Sequence, residues 1–147
     1  MTPKYALSVR QPWAHAILHG GKTIENRSWP TDLRGPIALH AGRSMEPNDI
    51  DAFFRFIEAR SLSGPWITRT VVDSLPRGAI VGVVDIVGCV RTATSPWFEG
   101  PYGFVLANPQ AITPIPFRGA QKFFELPSDV LATLTALMIE LDKAKPA

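Results

Sequence analysis

Cysteine is nearly absent from this chain: Cys89 is the only one in 147 residues, so no internal disulfide can form. It lies in an apolar run, where it reads as a small buried hydrophobe rather than a nucleophile. Long hydrophobic runs are missing too. None approaches the ~20 residues of a membrane span, and the N-terminus lacks the basic, apolar and small-residue succession of a leader peptide. The expectation is a soluble, cytoplasmic protein with no membrane association. Several catalytic signatures are also lacking. No G-x-S-x-G occurs, and His40 in LHAGRS sits in an apolar stretch, where it reads as a satisfied core histidine. Gly20-Gly21-Lys22-Thr23 resembles the end of a phosphate loop, but no glycine opens that motif and a helix rather than a strand precedes it. His15 and His19 are spaced i, i+4 without the glutamate of an HExxH motif, so they read as a solvent-facing pair. Neither a metal nor a cofactor is expected.

What the chain does contain is an ordinary globular composition, with 46% hydrophobic and 19% charged residues, enough for one domain spanning residues 1–147. Fourteen prolines and eleven glycines favour short strands and many turns. Tyr5–Val9 reads as a strand. Pro12 suits the first position of a short helix that carries Trp13, Ala16 and Ile17 and stops at Gly20-Gly21. Thr23–Ser28 and Ile37–Ala41 read as strands, and Asn48–Arg60 as an amphipathic helix with Ile50, Phe53, Phe54 and Ile57 on one stripe. Residues 66–75 have a weaker helical pattern. AIVGVVDIVGCV, residues 79–90, is the strongest strand signal, and its two glycines suit a sheet that curls toward a barrel. Tyr102–Ala107 and Ala111–Phe117 read as two strands split by Asn108-Pro109, with a further strand at Lys122–Leu126. Ser128 reads as the cap of a final helix with a leucine stripe. The pattern implies an α+β, mostly β domain with peripheral helices.

Charge is unevenly placed. Up to Met45 the chain carries Lys4, Arg10, Lys22, Arg27, Arg34 and Arg43 against Glu25 and Asp32, a balance of +4, and the remainder sums to −2. The positive half surrounds GGKTIENRSW, residues 20–29, which suits an anionic partner such as a nucleic-acid backbone. On a strand Glu25 and Arg27 point to the same side, while Lys22 leaves a helix-to-strand junction in another direction. A carboxylate held beside cations stays ionised and can accept from an exocyclic amine, and the cations can hold phosphate. A surface ion pair would use the same residues. Trp13, Trp29 and Trp97 stand beside turn residues near this patch, as stacking aromatics do in single-stranded nucleic-acid sites. Trp97 is the preferred platform and Trp66 is assigned to the core.

The run LSVRQPWAHAILHGGKTIENRSWPTDLRGPIALHA resembles the N-terminal half of the ASCH domain family, whose signature G-x-K-x-x-E-x-R appears as Gly20, Lys22, Glu25 and Arg27. Gln11-Pro12-Trp13, Arg34-Gly35-Pro36 and SPWFEGPYGFVLANP, residues 95–109, are similar to the family as well. The resemblance implies a PUA-like β-barrel with peripheral helices, a cleft between helix and barrel lined by the signature, and RNA or other nucleic acid as the partner. It also implies an enzymatic alternative, because the family includes ribonucleases and a short branch of amidohydrolases acting on N4-acylated cytidine through the signature lysine. That branch has threonine where this chain has Glu25.

The leading expectation is therefore a module that binds RNA or another nucleic acid and recognises a nucleotide or modified base in this cleft, with a nucleotide-like small molecule as the other partner. Lys22 and Arg27 hold phosphate or a base carbonyl, Glu25 reads an amine edge, and Trp97 or Trp13 stacks. Ser8, Arg10 and Gln11 are further candidates for the same cleft. In the alternative, Lys22 and Glu25 form a catalytic pair of a ribonuclease or a nucleoside amidohydrolase. An adaptor role through Phe53, Phe54 and the C-terminal leucines is a third reading, with those residues expected in the core instead.

Overall fold

The computed structural model describes residues 2–145 and contains β1 (Tyr5–Val9), α1 (Trp13–His19), β2 (Ile24–Arg27), β3 (Gly35–Ala41), α2 (Pro47–Ala59), α3 (Arg69–Asp73), β4 (Ala79–Val90), β5 (Tyr102–Pro116), β6 (Phe123–Glu125) and α4 (Ser128–Ala144). The strands make one six-stranded sheet in the order β2-β5-β4-β3-β1-β6, with β1 parallel to β3 and the other pairs antiparallel. The sheet curls into a half-barrel flanked by helices, an α+β fold that is mostly β, and β2 and β6 are its edge strands. No helix among the described residues is long and apolar enough to cross a membrane.

Period-two alternation divides the core between the two faces of the sheet. Leu7, Val9, Ile37, Leu39 and Phe104 face one side, where Ala14 and Ile17 of α1 pack on them. Ala6, Ala38, Ile80 and Val83 face the other, where Val130 and Leu134 of α4 cover them. A third cluster gathers Phe53, Phe54, Phe56 and Ile57 of α2 with Ala16, Ile24 and Trp97. Phe53 is fully buried and Phe54 is 7% exposed, so neither offers an adaptor surface. α2 begins with a reciprocal cap, in which the Asp49 carboxylate accepts from the Glu46 amide at 3.0 Å, and Pro47 occupies the first turn.

Three local expectations are corrected. Tyr102–Pro116 is one continuous strand, because Asn108 takes φ 54° and the β4–β5 register shifts between Val83 and Asp85. The Asn-Pro pair thus marks an irregularity within the strand rather than a turn between strands. Ser128 is the first residue of α4 and makes no capping hydrogen bond; Pro127 precedes it. In the 66–75 segment only Arg69–Asp73 is α-helical, capped by the Thr68 hydroxyl accepting from the Val71 amide at 3.1 Å.

Candidate nucleic-acid interface

α1 ends because Gly20 closes it and Gly21 takes φ +73°, a conformation that favours glycine. Gly20 is further constrained by packing: a Cβ there would lie 2.6 Å from the Trp66 ring. The chain turns back so sharply that the amides of both Gly20 and Lys22 donate to the Ala16 carbonyl, at 2.8 and 3.2 Å. This turn aims the Lys22 side chain inward, and the residue is only 4% exposed.

The Lys22 ammonium donates to the Ile24 carbonyl and, at 3.2 Å, to Glu25 Oε1. It also stands 5.7 Å from the Trp13 ring centre and 6.0 Å from that of Trp97, within cation–π range of both. The other carboxylate oxygen of Glu25, Oε2, is 3.1 Å from Arg27 Nη2, and the same nitrogen donates to the Ser8 carbonyl at 2.7 Å. Glu25 therefore bridges two cations, one per oxygen. Burial pushes the Lys22 ammonium below the usual lysine range, and this outweighs the opposing pull of Glu25. Arg27 Nε is buried without a hydrogen-bond partner among the described residues, leaving one directed donor unused.

Two adjoining cavities open at this cluster. The larger, about 610 Å³, is lined by Glu25, Arg27, Arg10, Arg43, Trp13 and Trp29, among others, and the smaller, about 230 Å³, by Trp13, Lys22, Glu25, Asn26, Phe56 and Glu99. Both volumes are near the range of small-molecule sites, and the larger holds three guanidinium groups against one carboxylate.

The structure brings together most, not all, of the residues singled out in the sequence. Ser8, Arg10, Trp13, Glu25 and Arg27 line the larger cavity, and Lys22 lines the smaller one. Gln11 lines neither. It is 2% exposed, its amide nitrogen donates to the Pro76 carbonyl at 3.0 Å, and its oxygen accepts from the His15 amide at 2.9 Å. Its polar atoms are consumed in fixing α1 to the loop before β4. Trp97 is the second correction. It is 4% exposed, stacks on Phe56 with ring centres 6.0 Å apart, and lines neither cavity, so no base reaches its face. The cavity-facing aromatics are Trp13, held edge-on by Phe53 and Phe56, and Trp29, held edge-on by Phe104 and Phe123.

Asn26 has a role that sequence reasoning missed. Its side-chain nitrogen donates to the Trp97 carbonyl at 2.9 Å, and its oxygen accepts from the amides of Glu99 and Gly100 at 2.8 and 3.0 Å. It pins the loop that completes the smaller cavity. Asparagine within a short strand was the available signal, because it is depleted there unless its amide is used. The histidine pair is also more structural than expected, since His15 Nε2 bonds the Trp66 carbonyl at 2.8 Å. No cluster suited to a metal occurs among the described residues.

Comparison with known proteins bears on the family and the fold. The family model described as ASCH domain matches residues 7–116, which run from within β1 to the end of β5 and include Lys22, Glu25 and Arg27. Activating signal cointegrator 1 of Homo sapiens and of Mus musculus are each 27% identical over 139 residues, covering 86% of this chain. The chain spans 23% of the length of those relatives. The crystal structure of ASCH from Zymomonas mobilis is 20% identical, covers 90% of this chain and 94% of its own, and has a TM-score of 0.51. Its S128A mutant protein gives 19%, 93%, 99% and 0.52 respectively. The family match over most of its length, together with the fold, places this chain in the ASCH domain family.

Proposed function

We propose that the protein binds single-stranded RNA, seating one nucleotide in the cavity beside Glu25. The observation that carries this reading is the Glu25 carboxylate held between Lys22 and Arg27 in a cavity walled by Trp13 and Trp29. Each carboxylate oxygen keeps a lone pair after accepting from its cation, so the group still accepts from an exocyclic base amine. The Arg27 guanidinium, which lines the same cavity, supplies N–H donors for a base carbonyl. Arg10 and Arg43 lie at the exposed surface, where they meet phosphate, and the Trp13 and Trp29 rings offer apolar walls for the base. Gln11 and Trp97 support the cavity from behind.

Fluorescence anisotropy with short labelled RNAs tests the reading, using Arg27→Ala and Glu25→Gln proteins shown to be folded by circular dichroism. Both should bind more weakly than the parent. Unchanged affinity in both would place the site elsewhere.

One observation favours an enzymatic version of the same cleft. Burial lowers the Lys22 pKa, which moves its amine toward the neutral form that a base or nucleophile requires. RNA and N4-acylated cytidine are the substrates to try. Product above that of a Lys22→Met control would establish catalysis, and its absence would leave binding as the function.

A further inference from the structure

A third cavity, about 690 Å³, adjoins the larger of the two beside Glu25. Ser8, His40, Arg43, Arg118, Gly119 and Gln121 are among its lining residues. Ser8, Gly42, Arg43 and Gln121 also line the larger cavity next to Glu25, so the two spaces meet where β1 and β3 end. Arg43 and Arg118 are exposed and join no ion pair among the described residues, and no acid stands among the described residues that line this cavity. Two guanidinium groups without a counter-charge make a site for an anion.

The wall between the two guanidinium groups has a defined polarity. Ser8 and His40 are register partners on the parallel strands β1 and β3. His40 Nε2 lies 2.7 Å from the Phe117 carbonyl, which can only accept, so this nitrogen carries the proton. His40 Nδ1 therefore accepts, and the Ser8 hydroxyl, 2.9 Å away, donates to it. With its proton committed, Ser8 Oγ presents lone pairs alone to both cavities. A lone-pair acceptor repels phosphate oxygens and welcomes a hydroxyl donor. Gly119 packs directly against this pair and leaves no room for a side chain, because a Cβ there would lie 2.6 Å from His40 Cε1 and 3.3 Å from Ser8 Oγ.

We infer that this cavity is a second subsite, holding the ribose-phosphate unit adjacent to the nucleotide seated at Glu25. Arg43 and Arg118 take the phosphate, and Ser8 Oγ accepts from a ribose 2′-hydroxyl. The inference rests on the RNA-binding reading above, and adds to it the length of the bound strand and its sugar.

Ribonucleoside monophosphates, ribonucleotide octamers of random sequence and deoxyribonucleotide octamers are titrated by anisotropy at several salt concentrations against the parent and Arg118→Ala. Arg118 is exposed and lines the third cavity but not the larger one beside Glu25, so its replacement leaves the first site and the fold in place. The parent should bind the RNA octamer more tightly than the mononucleotide. Arg118→Ala should weaken the octamer several-fold, lower its slope of log affinity against log salt by about 0.7, and leave the mononucleotide unchanged. The DNA octamer should bind more weakly than the RNA octamer, a difference that Ser8→Ala removes. Parent protein that binds mononucleotide and octamer equally, with no effect of Arg118→Ala, overturns the second subsite and leaves the first intact. Equal affinity for DNA and RNA overturns the 2′-hydroxyl contact. Binding of neither ribonucleotide ligand by the parent overturns the underlying reading, and tight binding of an acidic peptide that depends on Arg118 reassigns the groove to a protein partner.

Discussion

Lys22 Nζ and Glu25 Oε1 stand 3.2 Å apart with the lysine side chain 2% and the glutamate side chain 11% exposed. The pair is thus sequestered rather than superficial, and its energetics follow the rules for buried charge. A second cation, Arg27, shares the same carboxylate from its other oxygen. Removing the shared anion leaves two cations facing each other, whereas removing Lys22 leaves a complete Glu25–Arg27 pair.

The first prediction is an asymmetry in stability. Glu25→Gln should destabilise the fold by about 3 to 5 kcal/mol, the cost of leaving a buried charge uncompensated. Lys22→Met keeps the length and apolar stem of the side chain between Trp13 and Trp97 and should cost less than half as much. Urea unfolding of the two variants checks the order, and a larger loss for Lys22→Met would contradict it.

The second concerns alkaline pH. The native Lys22 pKa lies below its ordinary value of 10.5, so between the two values the unfolded chain binds more protons than the folded one. Stability contributed by this site should therefore rise with pH through that window, as the cost of a buried ammonium is relieved. Urea midpoints measured upward from pH 8 should show a rise in the parent that is missing from Lys22→Met.

The third concerns acidic pH. Burial also lowers the His40 pKa from its ordinary 6.5, and its Nδ1 accepts from Ser8 only while the ring is neutral. The favourable contribution is complete above pH 6.5 and is lost as pH falls from there through the lower native value. The parent should lose stability over this interval more steeply than a His40→Gln variant, and equal slopes would count against the assigned tautomer.

The fourth separates two tryptophans that look alike in sequence. Trp97→Ala should destabilise the protein by about 3 to 5 kcal/mol, as large-to-small changes in a core do. Trp29→Ala should leave more of the stability intact and weaken RNA binding by about 1 to 3 kcal/mol, the value of one stacked base. Paired measurements of unfolding and anisotropy distinguish the outcomes. The stacking assignment fails if Trp29→Ala binds RNA as the parent does.

Much of the fold is legible in the chain because its signals are local. β-branched density marks β4 over residues 79–90 with no boundary error, and helical spacing followed by Gly20-Gly21 marks α1. The continuity of β5 is not legible. Asn108-Pro109 carries the chemistry of a turn, and only pairing with β4 on one side keeps the strand extended through it. The signature residues are similarly half legible. Strand alternation places Glu25 and Arg27 on one side, but no sequence period states that Lys22 turns inward to join them, since that depends on the positive φ of Gly21 and on the Ala16 carbonyl receiving two amides.

Residue type and spacing, then, were enough for the family, most of the strand and helix pattern, and the placing of Glu25 and Arg27 on one side of a strand. Which tryptophans face the cavity, why Gln11 is spent on Pro76 and His15, and how Ser8 meets His40 were settled by packing between distant segments. Trp29 and Trp97 have similar neighbours along the chain. Their exposure differs because Phe56 of α2 stacks on Trp97, whereas Trp29 meets Phe104 and Phe123 in T-shaped contacts and has the Lys122 ammonium 5.6 Å from its ring centre, and burial of that kind is a property of the assembled surface rather than of the local peptide.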